Sequence, residues 1–258
     1  MCLVAFSWQS HPEFPIIISA NRDEFFNRPT EKIHQWESGF YGGKDLRSGG
    51  TWLGFHPNGR WSLLTNYRDF IHQREPTISR GKLVQNFLES QIDPYDYLKE
   101  IEQNKTLYDG FNLLVSDGNR LFYYSNFGES IKKIQPGIYG LSNGLIDAPW
   151  PKSILAKMQL EQLITREFDA NSLLGILKST ETAEPETLPY TGVARDLELA
   201  LSSQLIRIDE NYGTVSSTAL LQHKSGLTKL KERTFDWDYH RFADREFQFQ
   251  LQKPIGQK

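Results

Sequence analysis

The first sixty-six residues alternate between short apolar runs and polar turns, a pattern that is typical of β-strands. Leu3–Phe6 and Pro15–Ala20 are continuous apolar runs, which indicates strands that are buried on both faces. The polar segment between them has turn composition, so the two runs are predicted to form a hairpin. With the turn centred between the runs, Cys2 is expected to lie across from Asn21 or Arg22, to within a residue or two.

The periodicity of the remaining chain predicts further strands and four helices. The predicted strands cover residues 51–55, 61–66, 111–115, 121–124, 139–142, 205–208, 216–221 and 227–235. The predicted helices are Ser79–Ser90 with Ser79 as the cap, a helix capped by Asp93 that ends near Asn104, residues 151–165 with apolar Ile154, Leu155, Met158 and Leu163, and residues 171–179. Strand groups that alternate with helix pairs suit antiparallel sheets with helices layered on their outer faces. Because no linker interrupts this pattern, one α+β domain over residues 1–258 is predicted.

Composition and charge narrow the classes of function. Of the 258 residues, 38% are hydrophobic and 24% are charged, which is the balance of a globular protein. The net charge of −3 removes the electrostatic case for a nucleic-acid partner. The single cysteine, Cys2, excludes an intrachain disulfide and every metal site built from several cysteines. No apolar stretch is long enough for a membrane span or a signal-peptide core, so a cytoplasmic protein is expected.

Common cofactor and metal motifs have no counterpart in the sequence. There is no Walker A sequence, no dinucleotide-binding glycine fingerprint after a strand, and no histidine pair at helical spacing. The six histidines are scattered along the chain, so neither a cofactor nor a metal ion is predicted. A glycosidase-type pair among the 32 carboxylates stays open, because sequence alone cannot find such a pair.

Cys2 is the most informative candidate for chemistry. Removal of Met1 would place its thiol beside a free α-amine with an ordinary pKa of about 7.7–8.0, which is a usable base near neutral pH. A thiolate is also a strong nucleophile. The alternative is that Cys2 is a small buried apolar residue, the more common role of a lone cysteine.

Polar residues that follow the second strand strengthen the case for Cys2, because the hairpin register puts them beside its thiol. Arg22 would favour the thiolate, and Asp23 could accept a hydrogen bond from the ammonium or hold the arginine. Acyl transfer also needs neutral donors for an oxyanion, and Asn66 and Asn143 are candidates at predicted strand ends. The more common roles are a solvated strand end for the charges and turn formation or capping for each asparagine.

Short sequence motifs occur in a characteristic order along nearly the whole chain. They are Met1-Cys2 before an apolar strand, Ala20-Asn21-Arg22-Asp23-Glu24-Phe25, Gly49-Gly50-Thr51-Trp52-Leu53-Gly54, Thr65-Asn66-Tyr67-Arg68, Gly140-Leu141-Ser142-Asn143, Pro149-Trp150, Tyr212-Gly213-Thr214 and Ser216-Ser217-Thr218. In this order they resemble the NRDE family, also called the transport and Golgi organisation family. The resemblance implies an N-terminal-nucleophile hydrolase-like fold, a four-layer αββα sandwich of two mainly antiparallel sheets. That fold is similar to the fold of acylases that cleave penicillins or conjugated bile acids with an N-terminal cysteine.

The resemblance also implies roles for individual residues. Cys2 would be the nucleophile, with Arg22 and Asp23 as its neighbours. Asn143 would donate a hydrogen bond to the oxyanion, and Asn66 would be a weaker second donor.

The sequence departs from the acylase pattern in two places. The arginine and aspartate of those acylases are separated by two residues, whereas Arg22 and Asp23 are adjacent, so their side chains are expected on opposite faces of the strand. The family usually has Gly-Thr-Arg where this chain has Gly213-Thr214-Val215, and the acylases usually carry an arginine at the matching site. Both departures weaken the catalytic prediction.

Two classes of function are therefore predicted. The first is an amidohydrolase that cleaves a non-peptide C–N amide bond of a small molecule through Cys2. The second is a non-catalytic member of the fold that binds or traffics a hydrophobic ligand such as haem. The chain has no Cys-Pro dipeptide, and its scattered histidines are only candidates for axial haem ligands.

Overall fold

Two groups of strands, each with its own helices, make up the described part of the chain, which is residues 2–72 and 78–252 of this computed structural model. Contacts within the chain define two compact units. One unit contains residues 2–27 and 136–249, and the other contains the described residues of 28–135 together with 250–252. One domain over residues 1–258 stays a prediction. The predicted removal of Met1 lies outside the described residues.

Thirteen strands and five α-helices occur in the described residues. The strands are β1 (Cys2–Trp8), β2 (Ile16–Phe25), β3 (Thr30–Gln35), β4 (Tyr41–Asp45), β5 (Leu53–Phe55), β6 (Trp61–Asn66), β7 (Phe111–Ser116), β8 (Leu121–Ser125), β9 (Lys132–Lys133), β10 (Gly137–Leu141), β11 (Tyr212–Gln222), β12 (Leu227–Asp236) and β13 (Arg241–Gln250). The helices are α1 (Gly81–Glu89), α2 (Pro94–Gln103), α3 (Pro151–Leu163), α4 (Ala170–Leu174) and α5 (Arg195–Ala200), with 3₁₀ turns at Lys105–Leu107 and Pro185–Thr187.

The first unit contains a six-stranded sheet in which β1 is an interior strand. The strand order is β10-β1-β2-β11-β12-β13, and β1 pairs antiparallel with both β10 and β2. Cys2 lies across from Arg22, one of the two partners that the hairpin pattern predicts. The apolar sequences of β1 and β2 account for this interior position, because strands buried on both faces need neighbours on both edges.

One face of this sheet packs against α3 and α4. Leu3, Ala5 and Ile17 of the sheet form a buried apolar cluster with residues of the two helices, such as Leu160 and Leu173. Side chains alternate between the two faces of a strand, so Cys2 at the start of β1 belongs to the face opposite the helices.

Of the four apolar residues noted in the sequence of α3, only Leu163 is buried. Ile154, Leu155 and Met158 are exposed, whereas the helix buries Ala156 and Leu160, along with other residues. Apolar residues are distributed around this helix, so its sequence pattern does not select a face.

A close backbone approach holds α3 against the sheet. A Cβ atom at Gly140 of β10 would lie 2.7 Å from the carbonyl oxygen of Ser153, so glycine is required for this packing. The approach turns the first helical turn, with Lys152 and Ser153, towards the sheet, and both side chains are buried.

The second unit contains a seven-stranded antiparallel meander in the order β3-β4-β5-β6-β7-β8-β9. Its buried cluster joins α1 and α2 to the sheet through Leu64, Phe111 and Tyr124, among others. Asp93 caps α2 as predicted, since its side chain accepts a hydrogen bond from the backbone of Tyr95 at 2.8 Å.

The predicted cap of α1 is wrong. The N-cap is Arg80, and its side chain makes no capping hydrogen bond. Arg80 Nη1 donates to the carbonyl oxygen of Gly110 at 2.8 Å, which ties the start of the helix to the start of β7. A tertiary contact therefore replaces the local Ser79 cap that the sequence favoured.

Several predicted elements differ from those observed. The predicted strand at residues 205–208 forms only an isolated bridge, between Arg207 and Gly213. The predicted helix at 171–179 ends at Leu174, with Gly175 as its C-cap. Strands β3, β4 and β13 have no counterpart in the prediction, because their sequences lack the buried apolar runs on which it depends.

Candidate active site

Cys2 begins an interior strand and is half-buried. Its backbone lies between β2 and the residues that follow β10. Arg22 is directly across from it on β2, and Arg22 itself pairs on its other side with Ser216 of β11. Because directly opposed residues share a face of the sheet, the thiol and the guanidinium of Arg22 lie on the same face.

Arg22 is buried and carries an acidic neighbour. Its Nη2 lies 3.6 Å from Oε2 of Glu24, which is two residues along the strand and therefore on the same face. The face that holds the thiol consequently has one cation and one anion within reach of each other.

Asp23 points to the helix-covered face, as its adjacency to Arg22 predicts. It pairs with Thr214 of β11, and Thr214 Oγ1 donates to Asp23 Oδ1 at 2.7 Å. The same hydroxyl accepts a hydrogen bond from the backbone nitrogen of Ile206 at 2.9 Å. Thr214 Oγ1 therefore accepts one hydrogen bond from the backbone and donates its proton to Asp23.

Burial shifts the pKa values of both acidic groups of the site upward. Burial raises the pKa of the Cys2 thiol, the charge of Asp23 raises it further, and the charge of Arg22 lowers it. Burial also raises the pKa of Asp23, against the lowering effects of Lys152, Thr214 and Arg22. A thiol in this setting needs a base before it can act as a nucleophile.

Asn143 lies next to Cys2 because it follows the end of β10, the strand that pairs with β1. The β1–β10 register pairs Val4 with Leu141, and its continuation by two residues sets Asn143 level with Cys2. Ser142 Oγ donates to the carbonyl oxygen of Cys2 at 3.1 Å and lies 3.4 Å from Asn143 Oδ1. The first unit thus brings together four of the five predicted site residues.

Asn66 belongs to the other compact unit. It is the last residue of β6 and pairs with Phe111 of β7, as predicted for a strand end. By strand alternation it shares the face of Leu64, which packs against helices of that unit. Its role as a second oxyanion donor stays a prediction.

Three side chains near this site were not predicted from the sequence: Thr214, Ser142 and Lys152. Thr214 and Ser142 lie in matched sequence blocks, but hydroxyl groups gave no reason to choose them over their neighbours. Lys152 did carry a signal. It stands in the first turn of α3, where the helix dipole disfavours a cation, so a lysine there needs another partner.

Val215 occupies an irregularity in the sheet. The pairing of β11 with β2 shifts register between Thr214 and Ser216, so Val215 is the extra residue of a bulge. Bulges redirect side chains, and this one falls where the family usually has an arginine.

Within the described residues, no group of three or more His, Cys, Asp or Glu side chains is arranged to hold a metal ion. In the same part of the chain, no helix has both the length and the apolar character that a bilayer crossing requires.

Sequence comparison identifies relatives along the full length of the chain. The family model described as Transport and Golgi organisation 2 matches residues 1–237. A human protein named Transport and Golgi organization protein 2 homolog is 31% identical, with 98% of this chain and 100% of that protein covered. The mouse Transport and Golgi organization 2 homolog gives the same identity and coverage.

Structure comparison confirms the predicted fold class. The C2A mutant of the conjugated bile acid hydrolase from Clostridium perfringens matches with a TM-score of 0.51 at 9% identity, over 100% of this chain and 99% of that chain. Both proteins have the N-terminal-nucleophile hydrolase-like α+β fold, which here contains two antiparallel sheets with helices.

Proposed function

The chain belongs to the Transport and Golgi organisation 2 family, and from this premise we propose that it is an amidohydrolase with Cys2 as nucleophile. The observation that carries the proposal is the convergence at one end of β1. Arg22 lies across from Cys2, and the Ser142 hydroxyl links the Cys2 carbonyl to Asn143. The solved structure of similar fold is named as a conjugated bile acid hydrolase, which supports an amide as substrate.

The proposed reaction starts from a mature chain that begins at Cys2. The free α-amine takes the thiol proton, and Sγ attacks the amide carbonyl. Asn143 Nδ2 donates to the developing oxyanion. Collapse of the tetrahedral intermediate breaks the C–N bond, and the amine product leaves with the proton that the α-ammonium returns. Water then attacks the thioester, which releases a carboxylic acid and restores the thiol.

The raised pKa of the thiol fits this sequence of steps. Burial and the charge of Asp23 hold the resting thiol in its protonated form, so the α-amine has a proton to remove. Arg22 shares the face of the thiol and stabilises the thiolate as it forms.

Turnover of a panel of acyl-amides, conjugated bile acids included, tests the proposal with four proteins. Cys2→Ala is expected to lose turnover, because no nucleophile remains. Asn143→Ala is expected to lose 10²–10³-fold, the usual effect of removing one oxyanion donor. Asn171→Ala is the matched control: this exposed asparagine bonds only to surface groups, so wild-type turnover is expected.

Two results would contradict the proposal. One is equal turnover by wild type and Cys2→Ala, and the other is the absence of turnover in a wild-type chain whose mass shows that Met1 has been removed. The first result would assign the cleavage to a residue other than Cys2. The second would favour the other predicted class, a protein that binds a hydrophobic ligand without cleaving it.

A further inference from the structure

Lys152 is a buried cation in an unfavourable place. It follows Pro151 in the first turn of α3, where the helix dipole opposes positive charge. Its side chain is nevertheless buried, and Nζ donates to the carbonyl oxygen of Leu201 at 2.8 Å. A buried ammonium is ordinarily stabilised by an anion in addition to backbone carbonyls.

The chain segment of residues 201–206 connects Lys152 to the surroundings of Asp23. At its start, the Leu201 carbonyl receives Lys152 Nζ. In its middle, the Gln204 carbonyl receives Asn21 Nδ2 at 2.9 Å. At its end, the Ile206 nitrogen donates to the Thr214 hydroxyl that holds Asp23. Six residues of chain therefore link the carbonyl that receives the Lys152 ammonium to the nitrogen that bonds to Thr214.

Packing of α3 places Lys152 on the same side of the sheet as Asp23. The helix contacts β1 and β10 on the helix-covered face, with Ser153 pressed against Gly140. Asp23 faces that side as well, through its bond to Thr214. Both side chains are buried there.

Charged side chains other than Lys152 occur on the same strand as Asp23 and on α5. On its own strand, Arg22 is cationic and Glu24 is anionic. Burial raises the pKa of Asp23, and among the side-chain charges Lys152 does most to lower it, ahead of Arg22. On α5, the carboxylate of Glu198 is also buried, and it accepts a hydrogen bond from Thr191 Oγ1 at 2.7 Å.

We propose that Lys152 is a positioning residue of the Cys2 site: its buried ammonium supplies the charge that keeps Asp23 as a carboxylate facing the N-terminus of the mature chain. The inference rests on the proposed function, in which the carboxylate of Asp23 would orient the α-ammonium of Cys2. The effect of Lys152 on the protonation of Asp23 can be measured without turnover. Lys152 does not touch the reacting atoms and acts through Asp23.

The test is a carbon-13 NMR titration of Asp23 in protein labelled at the aspartate carboxyl carbon, with the resonance assigned by its loss in Asp23→Asn. Lys152→Met is expected to raise the pKa of Asp23 by at least one unit, a tenfold change in proton affinity, or about 1.4 kcal/mol. Lys152→Gln, which retains an amide donor for the Leu201 carbonyl, is expected to give the same rise. Lys152→Arg is expected to restore most of the wild-type value.

Two controls separate this role from general structural effects. Lys157→Met removes a half-exposed lysine of the same helix, whose partner is Asp147 at 3.3 Å, and is expected to leave the titration of Asp23 unchanged. Glu198→Gln is also expected to leave it unchanged, since the proposal makes Asp23 the partner of the lysine.

An unchanged Asp23 titration in folded Lys152→Gln would overturn the inference and leave Lys152 as a structural donor to Leu201. A large shift in Glu198→Gln with none in Lys152→Gln would overturn it as well. Because the titration needs no substrate, a missing amidase activity leaves these outcomes readable. In an active protein, Lys152→Gln is further expected to move the acid limb of the kcat/KM profile to higher pH, with KM unchanged.

Discussion

At the residue scale, the groups around Cys2 shift the pKa of its thiol in opposite directions. Burial disfavours the thiolate, and Asp23 opposes it through its negative charge. Arg22, directly across the strand pair, favours it. The resting site is therefore a protonated thiol with a cation beside it, which suits a nucleophile that is activated only when a base removes its proton.

The reactivity of this thiol provides a direct measurement, because Cys2 is the only cysteine of the chain. In protein that retains Met1, the rate of alkylation by iodoacetamide is expected to rise with pH through a midpoint above the ordinary thiol value of about 8.5. Asp23→Asn is expected to lower the midpoint because it removes a negative charge, and Arg22→Gln is expected to raise it. Shifts in the reverse directions would show that the two charges do not act on the thiol as described.

At the element scale, the close contact between α3 and β10 aligns the site. Gly140 pairs with Ala5 of β1 and lies three residues before Asn143, so its packing fixes where β10 delivers the asparagine. The same contact orients the first turn of α3, which carries Lys152.

Gly140→Ala is expected to reduce the free energy of unfolding by about 1–3 kcal/mol, since the new methyl group would meet a backbone oxygen that cannot move aside. The measurement is urea denaturation. Gly81→Ala at the start of α1 is the control: its methyl group would have only ordinary contacts, and alanine favours the helix, so no loss is expected. Equal stability of Gly140→Ala and wild type would show that the helix can shift without cost.

Sequence patterns predicted the elements that are apolar and locally capped. The β1–β2 hairpin and the register of Cys2 with Arg22 followed from two apolar runs, and α2 followed from Asp93 at its cap. Strand β13 escaped prediction because its residues are mostly exposed, so apolar periodicity carries no information about it.

Features that depend on tertiary contacts could not be predicted in the same way. The buried face of α3 is selected by the approach of Ser153 to Gly140, not by helical periodicity. The anchoring of Asp23 needs Ile206 and Thr214 to meet across separate segments, which no local pattern encodes. Sequence patterns can thus nominate a nucleophile more readily than the groups that position its neighbours.

At the scale of the whole molecule, the chain has the family membership and the fold that its sequence motifs imply. The family model covers residues 1–237, and the fold is shared with a solved conjugated bile acid hydrolase. Four of the five predicted site residues lie in the unit that contains the six-stranded sheet. The proposed function depends on a mature chain that begins at Cys2 and on acylation of its thiol.

Intact-protein mass spectrometry after rapid quenching of a reaction with an acyl-amide substrate tests that claim most directly. Protein from the native host is expected to lack Met1. After quenching, its mass is expected to increase by that of one acyl group. Mild hydroxylamine, which cleaves thioesters, should remove the added mass. Cys2→Ala should gain no mass under the same conditions. Retained Met1 in the native protein, or an acyl adduct that persists in Cys2→Ala, would contradict the account.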